Sequence, residues 1–240
     1  MGRQSGAAGQ RALSESGELG PVWVSGALAQ VRWIAGRPLA WRVRLDDETS
    51  RRDAGGAVIS AQETAAFARA ADAPWRIARR LLAKALIAQV ARCHPDDVRI
   101  ARDAFGALRA VAPTGWHLSL AGQPPHALIG LHRRPIGVDI EPLDALPPPE
   151  DAFSADERAM FGALWPGNAD RAALVGWVAK EAHGKACGHA RQLDPRDIWL
   201  NCRAGALFAT SHASSTVVHI AVDTETIAAV AVGKPSSKSA

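Results

Sequence analysis

Apolar and polar residues alternate along several short stretches of this 240-residue chain and recur at helical spacing along a few longer ones. The alternation predicts strands over 22–34 and 39–45, joined at Gly36-Arg37-Pro38, with Arg42 and Arg44 on one face of the second. A polar turn is expected over 51–56. Ser60-Ala61-Gln62-Glu63 reads as a capping box opening a helix to about residue 71. Pro74 suits the first turn of a second helix reaching about residue 91. That helix carries an apolar stripe and, on another face, Arg76, Arg80 and Lys84 at i, i+4 and i+8. Such a basic row is either a solvated face or an anion contact. Further strands are expected over 98–101, 108–111, 116–120, 126–131 and 136–141. A Pro-rich linker, 143–149, follows. Beyond it come a helix starting at Ser154, a longer helix over 170–188, and closing strands over 198–201, 207–210, 217–223 and 227–232.

The two helix starts echo each other. Ile59-Ser60-Ala61-Gln62-Glu63-Thr64-Ala65-Ala66-Phe67 and Phe153-Ser154-Ala155-Asp156-Glu157-Arg158-Ala159-Met160-Phe161 share Ser, Ala, Glu, Ala and Phe at the same offsets. Good capping chemistry alone can produce such a match. It also suggests two related α+β halves, 21–142 and 150–233, flanked by tails over 1–20 and 234–240.

Composition narrows the classes. Hydrophobic content of 48% and charged content of 22% are those of an ordinary globular protein. Apolar runs are broken by Arg, Asp or Gly well short of a membrane span, and the polar, Gly/Ser-rich start has no apolar core of a secretory signal. Cys93, Cys187 and Cys202 show no CxxC spacing, which argues against a disulfide framework or zinc and fits a reducing cytoplasm. Cys187 is expected to be a small packed residue rather than a nucleophile. A net charge of +4 favours anionic partners. No nucleic-acid module is recognisable, and with no Tyr and five Phe, stacking platforms would rest on the eight Trp. Neither nucleic acid nor a membrane is expected as a partner.

The chemistry gathers in two stretches. In Ile136-Gly137-Val138-Asp139-Ile140-Glu141 the period of two places both carboxylates on one face, opposite the apolar side, at what reads as an exposed strand end before Pro142. Like charges so placed need a cation or basic partner. In Trp177-Val178-Ala179-Lys180-Glu181-Ala182-His183-Gly184-Lys185-Ala186-Cys187-Gly188, Glu181 and Lys185 share a helix face as i and i+4, and Gly188 suits the C-terminal cap. Gly184 costs about 1 kcal/mol relative to Ala in mid-helix and is tolerated where something must approach closely. Each stretch alone reads as an ion pair or a strand end. Together, three carboxylates and a Lys make a magnesium site conceivable, since magnesium takes few protein carboxylates and fills its shell with water and phosphate.

The two motifs, about forty residues apart with a Phe-Ser-x-x-Glu helix start between them, resemble the signature of the Sfp-type 4′-phosphopantetheinyl transferases. The resemblance covers roughly residues 59–188. It implies an α+β pseudo-dimer of two similar halves, working as a monomer in the cytoplasm. It implies transfer of the phosphopantetheine arm of coenzyme A to a serine of an apo acyl or peptidyl carrier protein, with release of 3′,5′-ADP. By the same resemblance Asp139, Glu141 and Glu181 hold magnesium. Glu181 also deprotonates the carrier serine, directly or through a water, and Lys185 neutralises phosphate and leaving-group charge. Arg76 and Ser119 sit where the family contacts the nucleotide. Two departures lie on the coenzyme A side. The family's Ser-His-Ser reads Ser119-Leu120-Ala121, and its Gly-Lys-Pro reads Gly106-Ala107-Leu108, so a phosphate-binding His and Lys are replaced by Leu120 and Ala107. Arg109 is the nearest substitute for that Lys. A degenerate member that grips a carrier or coenzyme A without transfer is the alternative these departures favour.

Overall fold

The computed structural model describes residues 19–188, 193–212 and 214–234. The expected tails lie outside these residues, apart from Leu19, Gly20 and Lys234. The strands form two sheets. The first contains β1 (Val22–Ser25), β2 (Leu39–Arg44), β3 (Arg99–Arg102), β4 (Leu108–Ala112), β5 (Trp116–Ala121) and β6 (His126–His132), in the order β1-β2-β6-β5-β4-β3. The second contains β7 (Ile136–Pro142), β8 (Trp199–Arg203), β9 (Ala206–Thr210), β10 (Ser215–Val222) and β11 (Thr226–Val232), in the order β7-β11-β10-β9-β8. Helices α1 (Glu48–Ala54), α2 (Ala61–Phe67) and α3 (Ala73–Ala91) belong to the first half, and α4 (Ala155–Leu164) and α5 (Ala169–Ala186) to the second.

The halves repeat. Strand order β2-β6-β5-β4-β3 in one sheet corresponds to β7-β11-β10-β9-β8 in the other, and the helix pair α2–α3 corresponds to α4–α5. Both capping boxes form, at Ser60 with Glu63 and at Ser154 with Glu157. Behind each box stands the same clamp. Lys84 Nζ lies 3.1 Å from Glu63 and donates to the Val58 carbonyl at 2.7 Å. Lys180 Nζ lies 2.9 Å from Glu157 and donates to the Ala152 carbonyl at 2.7 Å. In each half the accepting carbonyl is two residues before the capping Ser.

The layers follow from strand alternation. On β7, Ile136, Val138 and Ile140 pack with Leu128, Ala228 and Val230 in an apolar seam between the sheets. The opposite face of the second sheet, with Ile227, Ala229 and Ala231, packs on α5. The outer face of the first sheet, with Trp41, Ile129 and Leu131, packs on Leu82 and Leu86 of α3. At the seam's edge, ion pairs join Arg42 to Asp223 and Arg44 to Glu225, the latter at 3.0 Å, which gives the shared face of β2 its partners.

Some expectations are corrected. The strand expected over 22–34 stops at Ser25, because Gly26 turns the chain with φ +91° into a short 3-10 turn; β1 and β2 then pair in parallel. The polar turn expected over 51–56 lies largely within α1, started by Asp47, whose side chain accepts from the Thr49 N–H. The sheets also divide the chain before the Pro-rich segment, since β7 hydrogen-bonds along its length to β11. The basic row on α3 is not one solvated face: Arg80 and Lys84 are buried against Glu63, and only Arg76 stays half-exposed.

Candidate functional site

β7 is buried from Ile136 through Ile140, and only Glu141 and Pro142 at its end are partly exposed, so Asp139 is not at the exposed strand end expected. Gly137 makes this possible: a Cβ there would fall 1.9 Å from the Ala182 carbonyl oxygen, so β7 lies directly on α5. Asp139, two residues on, faces the same helix and is buried. Lys185 Nζ donates to its Oδ1 at 2.6 Å and stands 4.0 Å from Glu181 Oε2. Asp139, Glu141, Glu181 and Lys185 all line one cavity of 460 Å3 between the halves.

The electrostatics are unbalanced. Burial raises the Asp139 carboxyl, against the pull of Lys185. Burial, and then the charge of Asp139, pushes Glu141 up to about 7. Burial likewise raises Glu181, partly offset by Lys185. Asp139 Oδ2 and Glu141 Oε2 are buried with no hydrogen-bond partner. Buried carboxylate oxygens without partners cost stability unless a cation or donor reaches them. Their hard oxygen chemistry suits a divalent cation with few protein ligands. Among the described residues no three His, Cys, Asp or Glu side chains stand close enough to enclose a metal, so Glu181 does not close a cage around the other two.

Arginines also line the cavity: Arg76, Arg79 and Arg80 from α3, and Arg102 from β3. Arg76, expected at the cofactor, is held by Asp72 at 2.6 Å. Arg79 donates to the Gly122 carbonyl, and burial lowers its pKa. Buried Arg80 faces Glu63 at 3.4 Å, and its Nε and Nη1 lack hydrogen-bond partners. Arg79 and Arg102 were missed in the sequence reading. The three-residue step from Arg76 marks Arg79, whereas Arg102 reaches the cavity through tertiary packing that no local pattern announces.

Ser119 also lines the cavity, buried, and its Oγ accepts the Val138 N–H at 3.0 Å. Because β7 is an edge strand, this bond ties its open side to β5. Leu120 and Ala107 line the same walls. Arg109 does not; it pairs with Asp103 at 3.1 Å. His126 and His132 are buried away from the cavity lining. Cys187 is half-buried, and burial pushes its thiol up to about 11, so it is no thiolate nucleophile at neutral pH. Described helices include none long and apolar enough to cross a membrane.

Set beside known proteins, the chain matches a family model over residues 135–231, from the start of β7 into β11. No curated protein matches it. That family model describes the 4′-phosphopantetheinyl transferase superfamily, and the matched stretch contains Asp139, Glu141, Glu181 and Lys185.

Proposed function

We propose that the protein transfers the 4′-phosphopantetheine arm of coenzyme A to a serine of an apo acyl or peptidyl carrier protein, releasing 3′,5′-ADP, in a magnesium-dependent reaction. The observation that carries this reading is the convergence of Asp139, Glu141, Glu181 and Lys185 on one cavity that Arg76, Arg79, Arg80 and Arg102 also line. Carboxylates and guanidiniums on the lining of one cavity suit a ligand with a reacting pyrophosphate and a further anionic group.

Glu181 takes the proton of the carrier serine. The serine oxygen then bonds to the phosphorus bearing the pantetheine arm, and the bond from that phosphorus to the bridging oxygen of the pyrophosphate breaks. Lys185 holds the negative charge that collects on the departing 3′,5′-ADP. Phosphoryl transfer depends mainly on such positioning and charge neutralisation. Asp139 and Glu141 would hold magnesium, and their unpartnered oxygens fit that role; Glu181, which does not close a cage with them, is left free to act as the base. Bound there, the ion supplies positive charge to the pyrophosphate. Arg76 and Ser119 would border the nucleotide, and their place on the cavity lining with Arg79, Arg80 and Arg102 supports that reading.

The test is to incubate the protein with apo-carrier, coenzyme A and magnesium and weigh the carrier. The expected result is the added mass of one phosphopantetheine. Glu181→Gln should slow transfer by about 100-fold or more while leaving the fold intact. Leu120 and Ala107 support the rival reading, a non-catalytic binder; a carrier that binds but gains no mass, beside a competent enzyme as control, would establish it.

A further inference from the structure

His183 is a buried polar group that the reaction above leaves unused. It lies on α5 between Glu181 and Lys185, two residues from each, and is fully buried. Two residues along an α-helix turn about 160° by the short way round its axis, so the ring points away from the flank that bears Glu181 and Lys185. It meets β10 and the turn before it. Its Nδ1 lies 2.9 Å from Thr216 Oγ1, and its Nε2 lies 2.9 Å from Ser211 Oγ. Both partners are themselves buried. Cys187 Sγ stands 3.5 Å from Nε2, and the Ser211 N–H donates to the Ser214 carbonyl at 2.9 Å, which closes the turn. Burial lowers the His183 pKa to about 4, as it does that of half-buried His117, so both rings are neutral at pH 7. A neutral imidazole donates from one nitrogen and accepts at the other, and a hydroxyl takes either role, so the network is satisfied without a charge.

The repeat shows that the fold does not require such a network. Lys84 and Lys180 hold the same place in the two halves, and three residues past them stand Ile87 and His183. Ile87 is buried in the apolar core of the first half. An apolar contact is non-directional and sets no angle for the helix that makes it. Hydrogen bonds to two fixed hydroxyls set both distance and angle. A buried imidazole must also be fully partnered, a demand that Ile87 does not make. The half that takes the more demanding solution is the one whose helix carries Glu181 and Lys185. The other flank of the same turns is held by β7, where a Cβ on Gly137 would fall 1.9 Å from the Ala182 carbonyl oxygen and 2.4 Å from the Ala186 nitrogen. β11 lies between β7 and β10, so α5 is held at two points on the sheet, two strands apart.

We propose that His183 is a positioning residue for transfer: its bonds to Thr216 and Ser211 stop α5 from rolling on the sheet, and so keep Glu181 aimed into the cavity and Lys185 within reach of Asp139. This rests on the transferase reading above and adds to it the group that holds the base in line. His183 is not on the cavity lining and acts only through the helix.

The test is steady-state transfer to an apo-carrier with coenzyme A varied, alongside urea unfolding. The double variant His183→Ile, Thr216→Val replaces both partners by apolar groups of similar size and should keep a urea midpoint close to the wild type's; Ser211 retains Cys187 as a partner. Its kcat should fall about tenfold or more, because small misplacements of reacting groups slow a reaction steeply. Its KM for coenzyme A should stay within about twofold, since the arginines of α3 and β3 on the cavity lining are untouched. His183→Gln, whose amide can still bond Ser211, should recover kcat to within about threefold of the wild type. Thr216→Val alone keeps the ring, removes one partner and should lower kcat in the same direction; it decides the matter if the double variant does not fold. Unchanged kcat in the folded double variant would overturn the proposal. So would an equal loss of kcat and coenzyme A affinity, or a Gln variant no better than the double variant. A wild type that transfers nothing would instead remove the transferase reading, and the proposal with it.

Discussion

Ser119 closes a hydrogen-bonding gap that the fold creates at the free edge of β7. Its Oγ accepts the Val138 N–H, so Ser119→Ala should leave a buried donor unpaired and cost about 1–3 kcal/mol in urea unfolding. The family resemblance singled out Ser119 as a nucleotide contact; its backbone partner was not legible, because nothing local in a sequence says which strand will be an edge. His117 provides a test by pH. Its folded pKa of about 4 lies below its unfolded value of about 6.5. The unfolded chain therefore takes up the proton first. The stability that neutral His117 contributes is full above pH 6.5 and is lost as pH falls towards 4. His117→Gln should flatten the stability curve in that window, and an unchanged slope between pH 6.5 and 4 would contradict the assignment.

Among elements, the two capping boxes, the helices behind them and most strands were legible, because each is written in short-range chemistry: Ser and Glu three apart, Pro74 in a first turn, alternation on β7. The clamps were not, since Lys180 and Glu157 lie 23 residues apart and meet only after α4 packs on α5. The depth of β7 was also hidden. Alternation gives two faces without saying that α5 covers the polar one, and Gly137 gains its meaning only against Ala182. Lys180→Met should destabilise by about 3–5 kcal/mol, because it strands the buried Glu157 carboxylate. Lys84→Met should cost less, because Glu63 keeps Arg80 beside it and is the more exposed carboxylate, at 16% against 4%. Chemical denaturation of the two variants checks the order. Gly137→Ala should force β7 off α5 and reduce both stability and any transfer activity, since it moves Asp139 relative to Lys185.

Across the whole molecule, the seam of Ile136, Val138, Ile140, Leu128, Ala228 and Val230 makes the halves depend on each other. Calorimetry should show one unfolding transition rather than two. The charged edge contributes less: with exposed carboxylates, Asp223→Asn and Glu225→Gln should each cost no more than about 1 kcal/mol. One residue past each anchoring lysine the two copies diverge. In each half a buried lysine anchors the long helix to the capping box beside it, and so fixes the helix's rotational phase. One residue further along an α-helix turns about 100° around its axis. From Lys180 that step arrives at Glu181 and points it into the cavity; from Lys84 it arrives at Ala85, which is buried. The same anchor thus turns a cavity-lining carboxylate inward in one copy and a core alanine in the other, so a change at Lys180 should shift the aim of Glu181 without touching any ligand.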